Sequence, residues 1–276
     1  MKTKKLIYCA LIAVTMSSCI TSESFFQVYK TTTESNIAMK DKVLAYEDNN
    51  CKVVYNQWGD GGNIGFLFFN KTESNIYLNL EECFFISNGI ANNYFKNRVY
   101  TFSSNTGSAQ SVGKSMTGLN YLQLIQTNSA AANTMSSNGK SISSNEEKIV
   151  CIPALSSKEI KEYNIKESLY RDCDLFIHPT KKQINTLYFT TVNSPLTYSN
   201  RIEYKVGQMG TPIKFENKFY ISEITNYPQS EIIERKLDKN CGEVIDVYNM
   251  KYTEYFKNAS PDKFYIKYSR AGLLKH

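Results

Sequence analysis

Along much of the chain apolar and polar residues alternate with period two. Ile76, Leu78 and Leu80 are interleaved with Tyr77 and Asn79, and Ile202, Tyr204 and Val206 with Glu203 and Lys205. Such alternation turns one face of a strand inward and the other toward water. The pattern predicts strands over 25–30, 52–56, 64–69, 76–80, 83–86 and 99–102, and again over 149–152, 187–192, 202–206, 218–224, 244–248 and 264–268. Asn, Gly and Ser cluster between these runs, where turns need their backbone freedom or their side-chain hydrogen bonds. Apolar residues at helical spacing are scarce, so the fold is expected to be mostly β.

Two stretches break the pattern. Residues 103–148 draw 29 of their 46 positions from Ser, Asn, Thr, Gly and Ala. That composition buries too little apolar surface to offset the entropy of ordering, so a long, low-complexity, flexible insertion is expected there. Within it Met116, Leu119, Leu122 and Ile125 recur every third residue, which predicts a short helix packed on the parent domain. The second break is the N-terminus. Lys2, Lys4 and Lys5 precede an eleven-residue apolar run, 6–16, followed by Ser17, Ser18 and Cys19. A run that short does not span a bilayer, and a cleavable export signal is the expected reading.

Charge narrows the choice of partners. The formal net charge is +6, and removing residues 1–18 takes three lysines and no acid, which leaves +3. The remaining charges are mixed in sign, as in Ser157-Lys158-Glu159-Ile160-Lys161-Glu162. No basic stripe points to nucleic acid, and the 157–162 stretch reads as a solvated face.

Candidate chemistry is sparse. Of seven cysteines, Cys51, Cys83, Cys151, Cys173 and Cys241 lie beyond the N-terminal segment, and none forms a C-x-x-C pair. Five is an odd number, and the sequence leaves their disulfide pairing open. Cys83 and Cys151 sit in apolar runs and are expected to be buried. The glycine-rich loop 59–65 precedes strand-like text, so a hairpin turn is expected rather than a phosphate cradle. Asp41, Glu47, Asp48, Glu81 and Glu82 include paired acids, and Asp172 and Asp174 flank Cys173, but acids on β-loops are usually solvated. Only His178 and the terminal His276 are histidines, and neither has spaced metal-ligand partners. No catalytic residue, metal site or cofactor is expected. Aromatic side chains at loop ends can stack on sugars, and Tyr55 and Trp58, beside the glycine loop, are the candidate ligand-binding pair; plugging the end of the fold is the other role open to them.

Two further stretches carry a resemblance. In 66–78 a strand, an Asn-x-Thr turn and a second strand follow one another; in 152–160 Pro153 and small polar residues lead into a strand. Both are similar to an immunoglobulin-like β-sandwich common in exported lipoproteins, and Ser17-Ser18-Cys19 resembles the lipobox of that class, with Met16 where Leu is usual. The chain as a whole resembles uncharacterised envelope lipoproteins of Bacteroidota. The resemblance implies a signal peptide over 1–18, acylation (palmitate among the chains) at Cys19, and anchoring to the outer membrane. It further implies a first sandwich portion over 19–102 and, after the 103–148 insertion, the remaining sandwich or a second small β-unit over 149–276. Twelve strands exceed the roughly seven of one immunoglobulin-like domain, so additional hairpins are expected. The implied role is a non-catalytic binding or scaffold component whose partner is an envelope protein, or a glycan bound through the loop aromatics. Glu23 is the lone acid just after Cys19, so no acidic surface-export tag is evident and the periplasmic face is favoured.

Overall fold

The computed structural model describes residues 23–34, 37–103, 106–108, 134–136, 141–237, 239–240, 243–244 and 252–270. The expected signal segment, Cys19 and the Met116–Ile125 stripe lie outside them. In chain order the strands are β1 (Ser24–Thr33), β2 (Ile37–Lys40), β3 (Val43–Glu47), β4 (Cys51–Tyr55), β5 (Phe66–Asn70), β6 (Ile76–Asn79), β7 (Phe84–Ser87) and β8 (Ile90–Asn93). A first ribbon holds β9 (Val99–Ser103), β10 (Thr106–Ser108), β11 (Thr134–Ser136) and β12 (Ser141–Asn145). Then come β13 (Ile149–Ile152), β14 (Ser157–Ile160), β15 (Thr186–Tyr188), β16 (Thr197–Val206) and β17 (Ile213–Pro228). After the single helical turn α1 (Gln229–Ile232) follow β18 (Ile233–Leu237), β19 (Lys239–Asn240), β20 (Glu243–Val244), β21 (Tyr252–Phe256) and β22 (Lys263–Ser269).

These strands build a β-sandwich with extra hairpins. The larger sheet runs β13-β6-β16-β17-β1-β22, with β7–β8 beside β16 and β15 beside β17; the smaller runs β14-β5-β4-β3-β2. Every strand pair in both is antiparallel. Strands from before residue 103 and after residue 148 share both sheets, so the second part of the chain completes the sandwich begun by the first. The sixteen-residue β17 is the spine: its first half pairs with β16 and its second half with β1.

Alternation decides what meets between the sheets. Val53, Tyr55, Phe66 and Phe68 of the small sheet face Tyr198, Ile202, Tyr204 and Phe219 of the large one, all at 3% exposure or less. Tyr198 stacks on Phe219 at 5.3 Å, and Tyr46 on Phe215 at 4.2 Å. Fully burying one such side chain stabilises by about 2–3 kcal/mol. The core also holds amides. Asn70 is fully buried; its Nδ2 donates to Ser74, Ile152 and Pro153 carbonyls, while its Oδ1 accepts from Thr72 N and Oγ1. The Asn-x-Thr turn is thereby pinned to the crossing between β13 and β14.

The structure revises several boundaries. The strand expected at 64–69 starts at Phe66, because Asn63 Oδ1 accepts from Gly65 N and forms a turn there. The strand expected over 187–192 shortens to β15, since Thr190 N and Oγ1 both donate to Asn193 Oδ1 and the chain reverses. Of 244–248 only Val244 is described, at the end of β20. Across 99–145, β9 pairs with β12 and β10 with β11. Glu203, on the outer face of β16, is nevertheless 5% exposed, covered by Lys214 and Asn79. Glu162, expected on a solvated face, is drawn into ion pairs with Lys96 and Arg98.

Candidate functional site

Tyr55 and Trp58 are three residues apart yet enter different clusters. Tyr55 ends β4 on the inward face at 1% exposure, packed edge-on against Phe219 at 5.3 Å, and its hydroxyl accepts from Asn217 Nδ2 at 2.8 Å. Burial pushes its phenol far up despite that hydrogen bond. A ring so enclosed offers no face to a sugar. Trp58 lies past the strand end on the far side of the β22 edge. There it packs against Phe256 at 5.0 Å and Tyr265 at 5.2 Å, in a small cluster with Phe26 and Ile232. The ring is half-buried, and its stacking partners belong to the protein itself.

The glycine-rich loop 59–65, which follows Trp58, lies in the β4–β5 hairpin connection, as expected, but that connection is longer than a turn and serves the sheet edge. Tyr265 N donates to Gly59 O, Gly61 N to Tyr265 O, and Lys267 N to Asp60 Oδ1, so the outer edge of β22 is capped. An unpaired edge invites association with another chain, and such capping prevents it. Gly62 has φ +73°, and a Cβ there would sit 2.8 Å from Phe264 Cγ and 2.9 Å from Ile165 Cδ1. Gly62 therefore serves close packing, and β5, not a helix, follows the loop.

The acids resolve into structural contacts at most positions. Asp48 bridges the two sheets: Tyr204 OH donates to its Oδ2 at 2.8 Å, and Asn50 N and Cys51 N to its Oδ1. Burial pushes this carboxyl up, but the bonds from Cys51, Tyr204 and Asn50 outweigh that and hold it below the usual range. Glu47 pairs with Lys71, Glu81 with Lys148, and Glu82 with Lys214. Asp172 accepts from Asp174 N and Tyr170 OH. Asp41 lies in the β2–β3 turn, where it and Lys42 both have positive φ. Among the described residues no group of three or more His, Cys, Asp or Glu side chains is placed to hold a metal ion.

His178 packs between Phe25, at 4.9 Å, and Tyr268, at 6.1 Å. Burial, then the nearby Arg270, lowers its pKa, so the ring is neutral at pH 7. Of the cysteines, Cys51 and Cys83 are buried, with the Cys83 thiol pushed up to about 12 by burial. Cys151 is exposed, which corrects the expectation for it: alternation in β13 turns Val150 and Ile152 inward and leaves Ile149 and Cys151 outside. Cys173 is also exposed, and Cys51, Cys83, Cys151 and Cys173 are all free thiols. Cys241 lies outside the described residues.

Sequence reasoning missed the polar chains inside the sandwich. Gln57 Oε1 accepts from Thr31 Oγ1 at 2.8 Å and Tyr198 OH at 3.0 Å. Asn200 donates to Ile64 O and accepts from Tyr94 OH, and it stands opposite Asn217 across β16 and β17. No local signal separates these amides from solvent-facing ones. Comparison of the chain with protein-family models, with curated proteins and with solved structures gives no match.

Proposed function

We propose that the chain is a membrane-anchored envelope lipoprotein that acts as a non-catalytic binding or scaffold component. The observation that carries this reading is Cys19, placed directly after Ser17 and Ser18 at the end of a basic-then-apolar start. The fold supports it in one respect: β1 opens at Ser24, so a sandwich follows the cysteine after a minimal spacer. The engagement of Asp48, Glu47, Glu81 and Glu82 in structural contacts favours a binding role over catalysis. Lipoprotein maturation adds several acyl chains, and multiple chains make attachment stable where one is marginal. The test is palmitate labelling and membrane fractionation of the full-length chain and of Cys19→Ala. The expected result is label and membrane recovery for the native chain and neither for the variant. An unlabelled native chain, or a variant that fractionates unchanged, overturns the reading. Protease shaving of intact cells then assigns the face; survival until the outer membrane is opened is expected.

A further inference from the structure

Cys19 and Ser24 are five residues apart, and Ser24 pairs with Ser269 at the start of the β1–β22 ladder. Five extended residues reach at most about 18 Å, of which the headgroup layer of one leaflet takes up roughly 5–7 Å. A domain of about 250 residues has a radius of gyration of about 18 Å. The body therefore cannot turn freely about its anchor, and the end of the sandwich from which β1 emerges stays against the bilayer.

At that end the loop 171–180 stoppers the inner face of the larger sheet, with Leu175 buried in the core. Asn226 Nδ2 donates to Phe176 O at 2.8 Å, Tyr268 OH donates to Ile177 O, and the His178 ring lies against Phe25, the second residue of β1. The loop holds its backbone inward but leaves the Phe176 side chain outside, at 54% exposure. Charges around the rim compensate one another, with Arg270 paired to Glu23 and Lys181 to Glu231. Such a rim has an apolar tip and little net attraction for anionic lipid. We propose that this end rests on the membrane carrying the anchor, with Phe176 entering the headgroup–acyl boundary of the phospholipid. The proposal rests on acylation at Cys19. The opposite end, the 207–212 turn with Met209 at 98% exposure, points away; it lies across β17 from Pro228, the residue paired with Phe25.

Two native thiols report on this arrangement. Cys173 lies in the stoppering loop, whereas Cys151 lies on β13 opposite Tyr77, which pairs with Lys205 near the far end. Full-length acylated protein with Cys241→Ser and either Cys151→Ser or Cys173→Ser is labelled with a fluorophore. It is then reconstituted into phosphatidylcholine vesicles containing a nitroxide-bearing lipid. Quenching at Cys173 is expected to exceed that at Cys151 by about threefold or more, to be unchanged by added phosphatidylglycerol, and to fall in Phe176→Ala but not in Phe176→Trp. Equal quenching at both thiols in protein that remains vesicle-bound overturns the orientation and leaves the anchor standing. Strong dependence on phosphatidylglycerol overturns the apolar contact in favour of an electrostatic one. Failure of the native chain to be acylated removes both the anchor and the orientation.

Discussion

Arg98 Nη2 lies 2.6 Å from Glu146 Oε1, joining the residue before β9 to the residue after β12. The same carboxylate accepts from the backbone N–H groups of Lys96 and Arg98, and Glu146 N donates to Arg98 O. Arg98 also grips both oxygens of Glu162, just past β14. Both ends of the ribbon are thus closed by one guanidinium, which ties them to the small sheet as well. Planar bidentate recognition of this kind needs Arg and is not reproduced by Lys.

Arg98→Met leaves two carboxylates, at 7% and 15% side-chain exposure, with Lys96 still paired to Glu162. Because the Arg98 side chain is itself 39% exposed, the expected loss is about 2 kcal/mol, less than for a fully buried pair. Urea denaturation measures it. An unchanged midpoint would show that the ribbon closes without this contact.

Acid should weaken the fold through the same carboxylate. Burial pushes Glu146 up, but the bonds from Arg98 and from the backbone outweigh it and hold the folded pKa low. The sign follows: the unfolded chain takes up the proton first, so the contribution is complete above the unfolded value of about 4.3 and is lost as pH falls through the folded one. Asp48, Glu203 and Glu216 are lowered too and add in the same direction. Urea midpoints are expected to drop below pH about 4, with a shallower drop in Glu146→Gln.

At the alkaline end the tyrosines decide. Burial raises the phenols of Tyr29, Tyr55, Tyr198 and Tyr204 far above their ordinary value, and that of Tyr265 to about 12. A raised pKa stabilises fully below the unfolded value of about 10, and the contribution is lost as pH rises beyond it, because only the unfolded chain ionises readily. A spectrophotometric base titration should therefore show a first phase that these buried phenols do not join. They are expected to ionise in one cooperative step that coincides with loss of the β signal in circular dichroism. Gradual ionisation of all tyrosines with the fold intact would contradict the enclosed core.

Glycines at two turns separate backbone strain from packing. Gly89 has φ +82° with open space around its Cβ position, whereas Gly62 has φ +73° and would clash with Phe264 and Ile165. Gly89→Ala is expected to cost about 1 kcal/mol, for the left-handed backbone alone. Gly62→Ala should cost about 3 kcal/mol, because the loop must also lift off β22. Equal thermal shifts in the two variants would mean that the loop moves aside freely.

What was legible in the sequence was the set of strands with one apolar face. β1, β4, β6, β13 and β22 lie at or close to where alternation puts them, because burying that face is what makes them strands. β2 and β14 have little buried surface, so nothing in their composition marks them and neighbouring strands recruit them by backbone pairing. The same limit hid the amides. Asn200 and Asn217 carry no such mark, and their burial depends on partners far off in the chain, Ile64 and Tyr94 for Asn200 and Tyr55 for Asn217. Tyr55 and Trp58 illustrate the converse. Proximity in sequence grouped them, but the strand ends between them and the chain turns outward, so one ring fills the core and the other clamps an edge.

Trp58 is the chain's single tryptophan, and its place makes it a reporter for the second ribbon. Among the described residues β18 and β21 pair only with each other, and an isolated two-stranded ribbon is marginal in water. Phe256 at the base of β21 packs on Phe26, Tyr265 and Trp58 and fastens the ribbon to the outer face of the large sheet. Phe256→Ala removes that fastening while leaving the core between the sheets untouched. Trp58 emission should then shift to the red, its quenching by acrylamide should rise about twofold, and amide exchange should accelerate in β18 and β21 but not in β1 or β17. Faster exchange throughout the large sheet would instead show that ribbon and sandwich open as one unit. Unchanged emission would mean that Tyr265 alone keeps the indole covered.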